Sequence, residues 1–152
     1  MAEEEASVTG QPVLSQLNVI VRDMDATLAF YRGLGFVIEA EPGGSHVELA
    51  LANGLVVEFD GAESVAMWDS GWPGTTGGSV VLGLALPARA AVDAAYAEIT
   101  AAGHAGRQPP YDAFWGARYA IVEDPDGNPV GLMSPIEDSR KSWPPAPPPR
   151  AS

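Results

Sequence analysis

The chain of 152 residues has no cysteine. Disulfides, thiolate metal sites and a cysteine nucleophile are therefore excluded. Positive charge is also scarce: eight Lys and Arg stand against 20 Asp and Glu, a net charge of −12 with His neutral. Such a surface repels nucleic-acid phosphates and anionic membranes, so neither is an expected partner. It suits a cationic ligand, although it serves solubility equally well. No apolar run approaches the roughly 20 residues that span a bilayer. The opening residues, Met1 to Ala6, are acidic and polar rather than signal-like, so a cytoplasmic location is expected. The P-loop, the dinucleotide glycine fingerprint, the zinc-protease helix and the nucleophile elbow are all missing. What is present is a 46% apolar composition, enough for the core of one compact domain.

Residues 1–11 lack periodicity and read as a disordered N-terminal tail. Val13–Arg22 reads as a strand, with Leu17, Val19 and Val21 on one face and Gln16, Asn18 and Ile20 on the other. Asp23 is a helix N-cap, Met24, Leu28, Tyr31 and Leu34 recur at helical spacing, and Gly35 closes the helix. Phe36–Glu41 reads as a short strand. His46–Leu51 and Leu55–Phe59 form a hairpin around Asn53-Gly54. A loop over 61–79 carries Met67, Trp68 and Trp72, and a loop of that length is usually functional or disordered. Val80–Leu86 is a strand and Ala88–Ala102 a helix closed by Gly103. His104–Gln108 is a weak strand, Pro109–Gly116 an aromatic-rich turn. Arg118–Val122 and Val130–Met133 are the arms of a second hairpin, turned by Asp124-Pro125-Asp126-Gly127-Asn128. Residues 136–152 are a proline-rich tail without a packed core.

The pattern strand, helix, strand, hairpin thus occurs twice, over 13–60 and 80–134. The expected fold is α+β: two tandem βαβββ modules forming a cupped mixed sheet, with the helices on its outer face. Strand parity then selects the cup lining. Its polar members are Gln16, Asn18, His46, Glu48 and Glu58; its apolar members are Ile20, Ala50, Val56, Val81, Gly83, Ala85 and Met133. Trp68, Trp72 and Trp115 are placed to cover the mouth. A mostly apolar hollow with a few polar groups suits a small molecule, and aromatic walls suit a planar or cationic one. Arg118 is expected to pair with Glu123 or Glu58, or to meet an anionic substrate.

Two βαβββ modules resemble the vicinal oxygen chelate superfamily, which includes glyoxalase I, extradiol dioxygenases and bleomycin-resistance proteins. The resemblance is carried by Val21-Arg22-Asp23-Met24-Asp25, by Phe30-Tyr31-Arg32-Gly33-Leu34-Gly35-Phe36 and by the late Asp124-Pro125-Asp126-Gly127-Asn128. It covers residues 12–135 and implies a cupped sheet that holds a ligand, in a protein that is commonly a homodimer. Metal-dependent members place ligands on the first and last strands of each module. The matching positions here are Gln16, Glu58, Val81 and Gly131, and the last two cannot ligate. The resemblance therefore points to the metal-free, bleomycin-resistance-like branch: no cofactor, and a small organic ligand, cationic or aromatic, held in the cup. A divalent metal on an atypical set, Gln16, His46 and Glu58, is the lesser reading. The rival to a pure binder is a lyase, isomerase or hydrolase with Glu58 as base, with or without a divalent metal. A third reading makes the tryptophan loop and the proline-rich tail docking surfaces.

Overall fold

The computed structural model describes residues 14–78 and 80–150. The expected disordered tail over 1–11 lies outside the described residues. The chain runs β1 (Gln16–Val21), α1 (Met24–Gly33), β2 (His46–Ala50), β3 (Val56–Gly61), a 3-10 segment over Ala62–Met67, β4 (Leu82–Ala85), α2 (Arg89–Ala101), β5 (Gly106–Asp112), β6 (Arg118–Glu123) and β7 (Pro129–Met133). The strands form two mixed sheets, β1-β3-β2 and β4-β7-β6-β5. In each, the module's first strand runs parallel to its last, β1 with β3 and β4 with β7. The remaining pairs are antiparallel. This is the α+β arrangement of two repeated modules that the sequence predicts. No helix among the described residues is long and apolar enough to cross a membrane.

Alternation decides which face each strand buries. On β1 and β2, Val19, Val21, Val47 and Leu49 are buried while Gln16, Asn18, His46 and Glu48 turn outward or lie only partly covered. Both helices pack on the apolar face, and one core cluster joins Val21, Phe30, Tyr31 and Phe59 to Val92, Val122, Val130 and Leu132. Asp23 caps α1 by accepting from the Ala26 N–H at 3.0 Å, as residues with short polar side chains do at this position. Phe30, outside the predicted stripe, is fully buried as well. It packs edge-on against His104 at 5.0 Å, because α1 faces the second module as well as its own sheet.

Two expectations change. Phe36–Glu41 forms no ladder. Ile38 is buried and Val37 exposed, so the segment is extended and sided but unpaired. The Ile38 carbonyl instead accepts from the Arg32 guanidinium. The first half of the predicted turn over 109–116 is strand, since β5 continues through Pro109 and Pro110 to Asp112. Its pairing with β6 shifts register twice, between Gly106 and Gln108 and between Gln108 and Tyr111. An edge strand tolerates proline because no outer ladder needs its missing N–H. The C-terminal segment also folds back. The Glu137 N–H bonds Gly116 O and the Ser142 N–H bonds Phe114 O, both at 3.0 Å, and Gln108 Nε2 donates to Pro149 O at 2.8 Å.

Both hairpin turns follow their residues. Gly54 and Gly127 adopt φ of +90° and +84°, a region that costs glycine nothing. Asp124 is 4% exposed. Its Oδ1 accepts from the Asp126 and Asn128 N–H groups, both at 2.9 Å, and its Oδ2 from Asn128 Nδ2 at 2.8 Å. The same Oδ2 accepts from the Tyr31 hydroxyl at 2.9 Å, across 93 residues of sequence. Burial first, then the Asp124 charge and hydrogen bond, push the Tyr31 phenol well above its ordinary range. The phenol therefore stays a neutral donor at every working pH.

Candidate functional site

The face opposite the helices divides into a carboxylate half and an aromatic half. Register builds the first. β3 pairs Asn18 with Glu58 across to β1, and Glu48 with Glu58 and His46 with Asp60 across to β2. Because Glu58 and Asp60 are two apart on one strand, both project to the same face. Asn18 Nδ2 bridges them, donating to Glu58 Oε2 at 2.8 Å and to Asp60 Oδ2 at 2.9 Å. Gln16 Nε2 holds Asn18 Oδ1 at 2.9 Å and reaches Glu58 Oε2 at 3.4 Å. His46 Nδ1 lies 2.6 Å from Asp60 Oδ1.

Asp60 is absent from the sequence reading, which ends the strand at Phe59. It is nevertheless 4% exposed, and continuing the parity from Val56 and Glu58 by one step would have found it. The hydrogen bond to Asp60 raises the His46 pKa above 6.5; desolvation opposes the shift, and the charges of Asp60, Glu58 and Glu48 add to it. A raised folded-state value means that the His46–Asp60 pairing contributes its full stabilisation below pH 6.5 and loses it as pH rises through the raised value. An NMR titration should show the His46 imidazole midpoint above 6.5, and Asp60→Asn should bring it down; an unchanged midpoint in that variant would refute the pairing.

The second module supplies the aromatic half. Tyr119 and Met133 face one another across β6 and β7, as do Ile121 and Gly131. Trp115 lies edge-on to Tyr119 at 5.2 Å, to Tyr111 at 6.5 Å and to Phe114 at 5.2 Å. Its indole N–H points at the Met133 sulfur at 3.3 Å. Burial pushes the Tyr111 and Tyr119 phenols up, so both remain hydroxyls. Gly83, Ala85, Trp115, Tyr119 and Met133 line a hollow of about 390 Å³. A cleft of about 280 Å³ separates β1 from β4, bounded by Asn18 and Ile20, by Val80 and Leu82, and by Thr75 to Gly78. Loop 61–79 thus reaches the cleft through its threonines and glycines. Trp68 is half-exposed and Trp72 gives its indole N–H to Thr75 O; neither lines the cleft or the hollow. Arg118 serves neither Glu123 nor Glu58. Its guanidinium meets Asp93 at 2.9 Å and Asp112 at 3.3 Å, because parity turns it toward α2.

The four positions matching a two-module metal centre can be tested directly. Gln16 and Glu58 carry donors and are bonded to one another. Val81 is apolar and 46% exposed. A Cβ built on Gly131 would sit 2.8 Å from the Tyr119 hydroxyl, so the phenol occupies the room a ligand side chain would need. That set does not fit a divalent ion, which wants three protein ligands.

Comparison with known proteins agrees with this architecture. The family model described as Glyoxalase/Bleomycin resistance protein/Dioxygenase superfamily matches residues 13–132. Among solved structures, a hypothetical protein from S. aureus is 22% identical, covers 85% of this chain and 98% of its own, and has a TM-score of 0.71. A glyoxalase-related enzyme from Fulvimarina pelagi is 21% identical over 82% of this chain and 89% of its own, also at a TM-score of 0.71. A lactoylglutathione lyase from Agrobacterium tumefaciens is 19% identical over 82% and 94%, at a TM-score of 0.59. At such identities the likeness establishes the fold alone. No functionally curated protein shows significant sequence similarity to the chain.

Proposed function

This chain belongs to the Glyoxalase/Bleomycin resistance protein/Dioxygenase superfamily, and on that premise we propose that it binds a small organic molecule, cationic and aromatic, on the open face of its sheets. The reading excludes a metal centre spread over both modules. One observation carries it: the first module presents Glu48, Glu58 and Asp60 together on its sheet, and the second presents Tyr111, Trp115, Tyr119 and Met133 on its own. The small residues Gly83 and Ala85 keep the second half open. A cation is favoured beside carboxylates that its charge balances, and a flat ring gains contact area against aromatic walls. The net charge of −12 draws such a ligand in from solution.

The test is a titration of intrinsic tryptophan fluorescence with planar aromatic cations and with neutral analogues of the same shape. Saturable quenching by the cations is expected, with weaker binding of the neutral set. Trp115→Ala should weaken binding about tenfold, the scale of a desolvated cation–π contact. Absence of a saturable response to every cation would sink the proposal, and equal affinity for neutral analogues would remove its carboxylate half.

A further inference from the structure

We propose that His46, Glu58 and Asp60 form a divalent-cation site contained within the first module. The imidazole and the two carboxylates each offer a donor atom, and the three donors lie within 4.8 Å of one another. The set differs from the two-module arrangement that Val81 and Gly131 disable: of its ligands only Glu58 occupies one of those four positions. It also differs from the triad expected from sequence, with Asp60 in the place given to Gln16.

The backbone holds the donors in place. Glu58 and Asp60 are fixed on the central strand β3, and His46 lies directly across from Asp60 on β2. Asn18 then divides the carboxylate oxygens. Its amide takes Glu58 Oε2 and Asp60 Oδ2, leaving Glu58 Oε1 and Asp60 Oδ1 free of that clamp. Asp60 Oδ1 is the atom His46 Nδ1 approaches. Gln16 fixes the Asn18 amide in turn. A hydrogen-bonded outer layer that orients ligating carboxylates is what a metal site needs besides its ligands. A cation would replace the shared proton of the His46–Asp60 contact. The burial is graded, Asp60 covered and the His46 side chain half-exposed, so the ion would be anchored from below and open to solvent above. One nitrogen and two oxygens on one side, with free positions opposite, suit a first-row ion such as Zn²⁺ or Mn²⁺ and leave room for water or an oxygen-bearing ligand.

The experiment uses the full chain, stripped with chelator and exchanged into clean buffer. Calorimetry with Zn²⁺ should give one equivalent bound, and Mn²⁺ should broaden the NMR signals of His46 while sparing those of His104. His46→Ala and Glu58→Gln change side chains that are not buried, so both variants should keep the far-ultraviolet circular dichroism of the parent. Each should lose at least tenfold in Zn²⁺ affinity, and Asn18→Ala, which removes only the orienting amide, about tenfold. Trp115→Ala should bind Zn²⁺ as the parent does, because the ion's ligands include nothing from the aromatic half, although Glu58 and Asp60 are common to both sites. Failure to bind either ion overturns the proposal. So does parent-like Zn²⁺ affinity in His46→Ala, since exposed carboxylates alone would then account for the binding.

Discussion

Asp124→Ala should be among the most damaging single substitutions in the domain, lowering stability by about 3 kcal/mol. The reason is the number of groups it orphans. The side chain accepts from Tyr31, from Asn128 Nδ2 and from two backbone N–H groups. Alanine satisfies none of them. The Tyr31 hydroxyl cannot turn to water, since the residue is 3% exposed. For a chain of this size the loss corresponds to a fall in Tm of about 10 °C. Tyr31→Phe removes a single bond and should cost about 1 kcal/mol. In the double variant the effects should fall short of additive, because both report the same contact. Thermal unfolding of the four proteins decides it; full additivity would show that the Tyr31–Asp124 bond carries no coupling. Two of the three fragments that carry the family resemblance, one around Tyr31 and one around Asp124, are the two ends of this bond.

Phe59→Ala should cost about 3–5 kcal/mol. Phe59 is fully buried on β3, the middle strand of its sheet. It packs against Tyr31 with ring centroids 4.9 Å apart. Its neighbours cannot collapse into the space, since Val19 and Val47 are fixed in register on either side. Phe59→Leu keeps most of the volume and should cost under about 1.5 kcal/mol. Denaturant unfolding should show the loss at an unchanged m-value; equal costs for the two variants would contradict a cavity. The substitution bears on the site as well. Phe59 stands between Glu58 and Asp60, so whatever loosens it loosens both carboxylates.

Much of this was legible in the chain itself. The alternation in β1 and β2, the Asp23 cap, the Asn53-Gly54 turn and the Asp124–Asn128 turn each depend on residues a few positions apart. Strand parity also named the first part of the carboxylate half, Gln16, Asn18, His46, Glu48 and Glu58. Asp60 escaped because an acid following an aromatic at a strand's end reads as the start of a loop. Tyr119 escaped because an aromatic residue fits either face of a strand, and only its pairing with Met133 places it on the open one.

Outside 36–41 and 109–112, the sequence by itself determined local conformation: which residues coil, where the two hairpins turn, and which side chains share a face. It also excluded disulfide and thiolate chemistry, through the absent cysteine. Only the tertiary structure decided partners. It left Phe36–Glu41 unpaired, carried β5 through two prolines, gave Arg118 to Asp93 and Asp112, and set the Tyr119 hydroxyl over Gly131. It also joined His46 to Asp60 across 14 residues and Tyr31 to Asp124 across 93. The division follows from the range of the forces. Dihedral preference and side-chain alternation act over a turn or a strand, whereas a cross-strand bond depends on the register that the whole core selects.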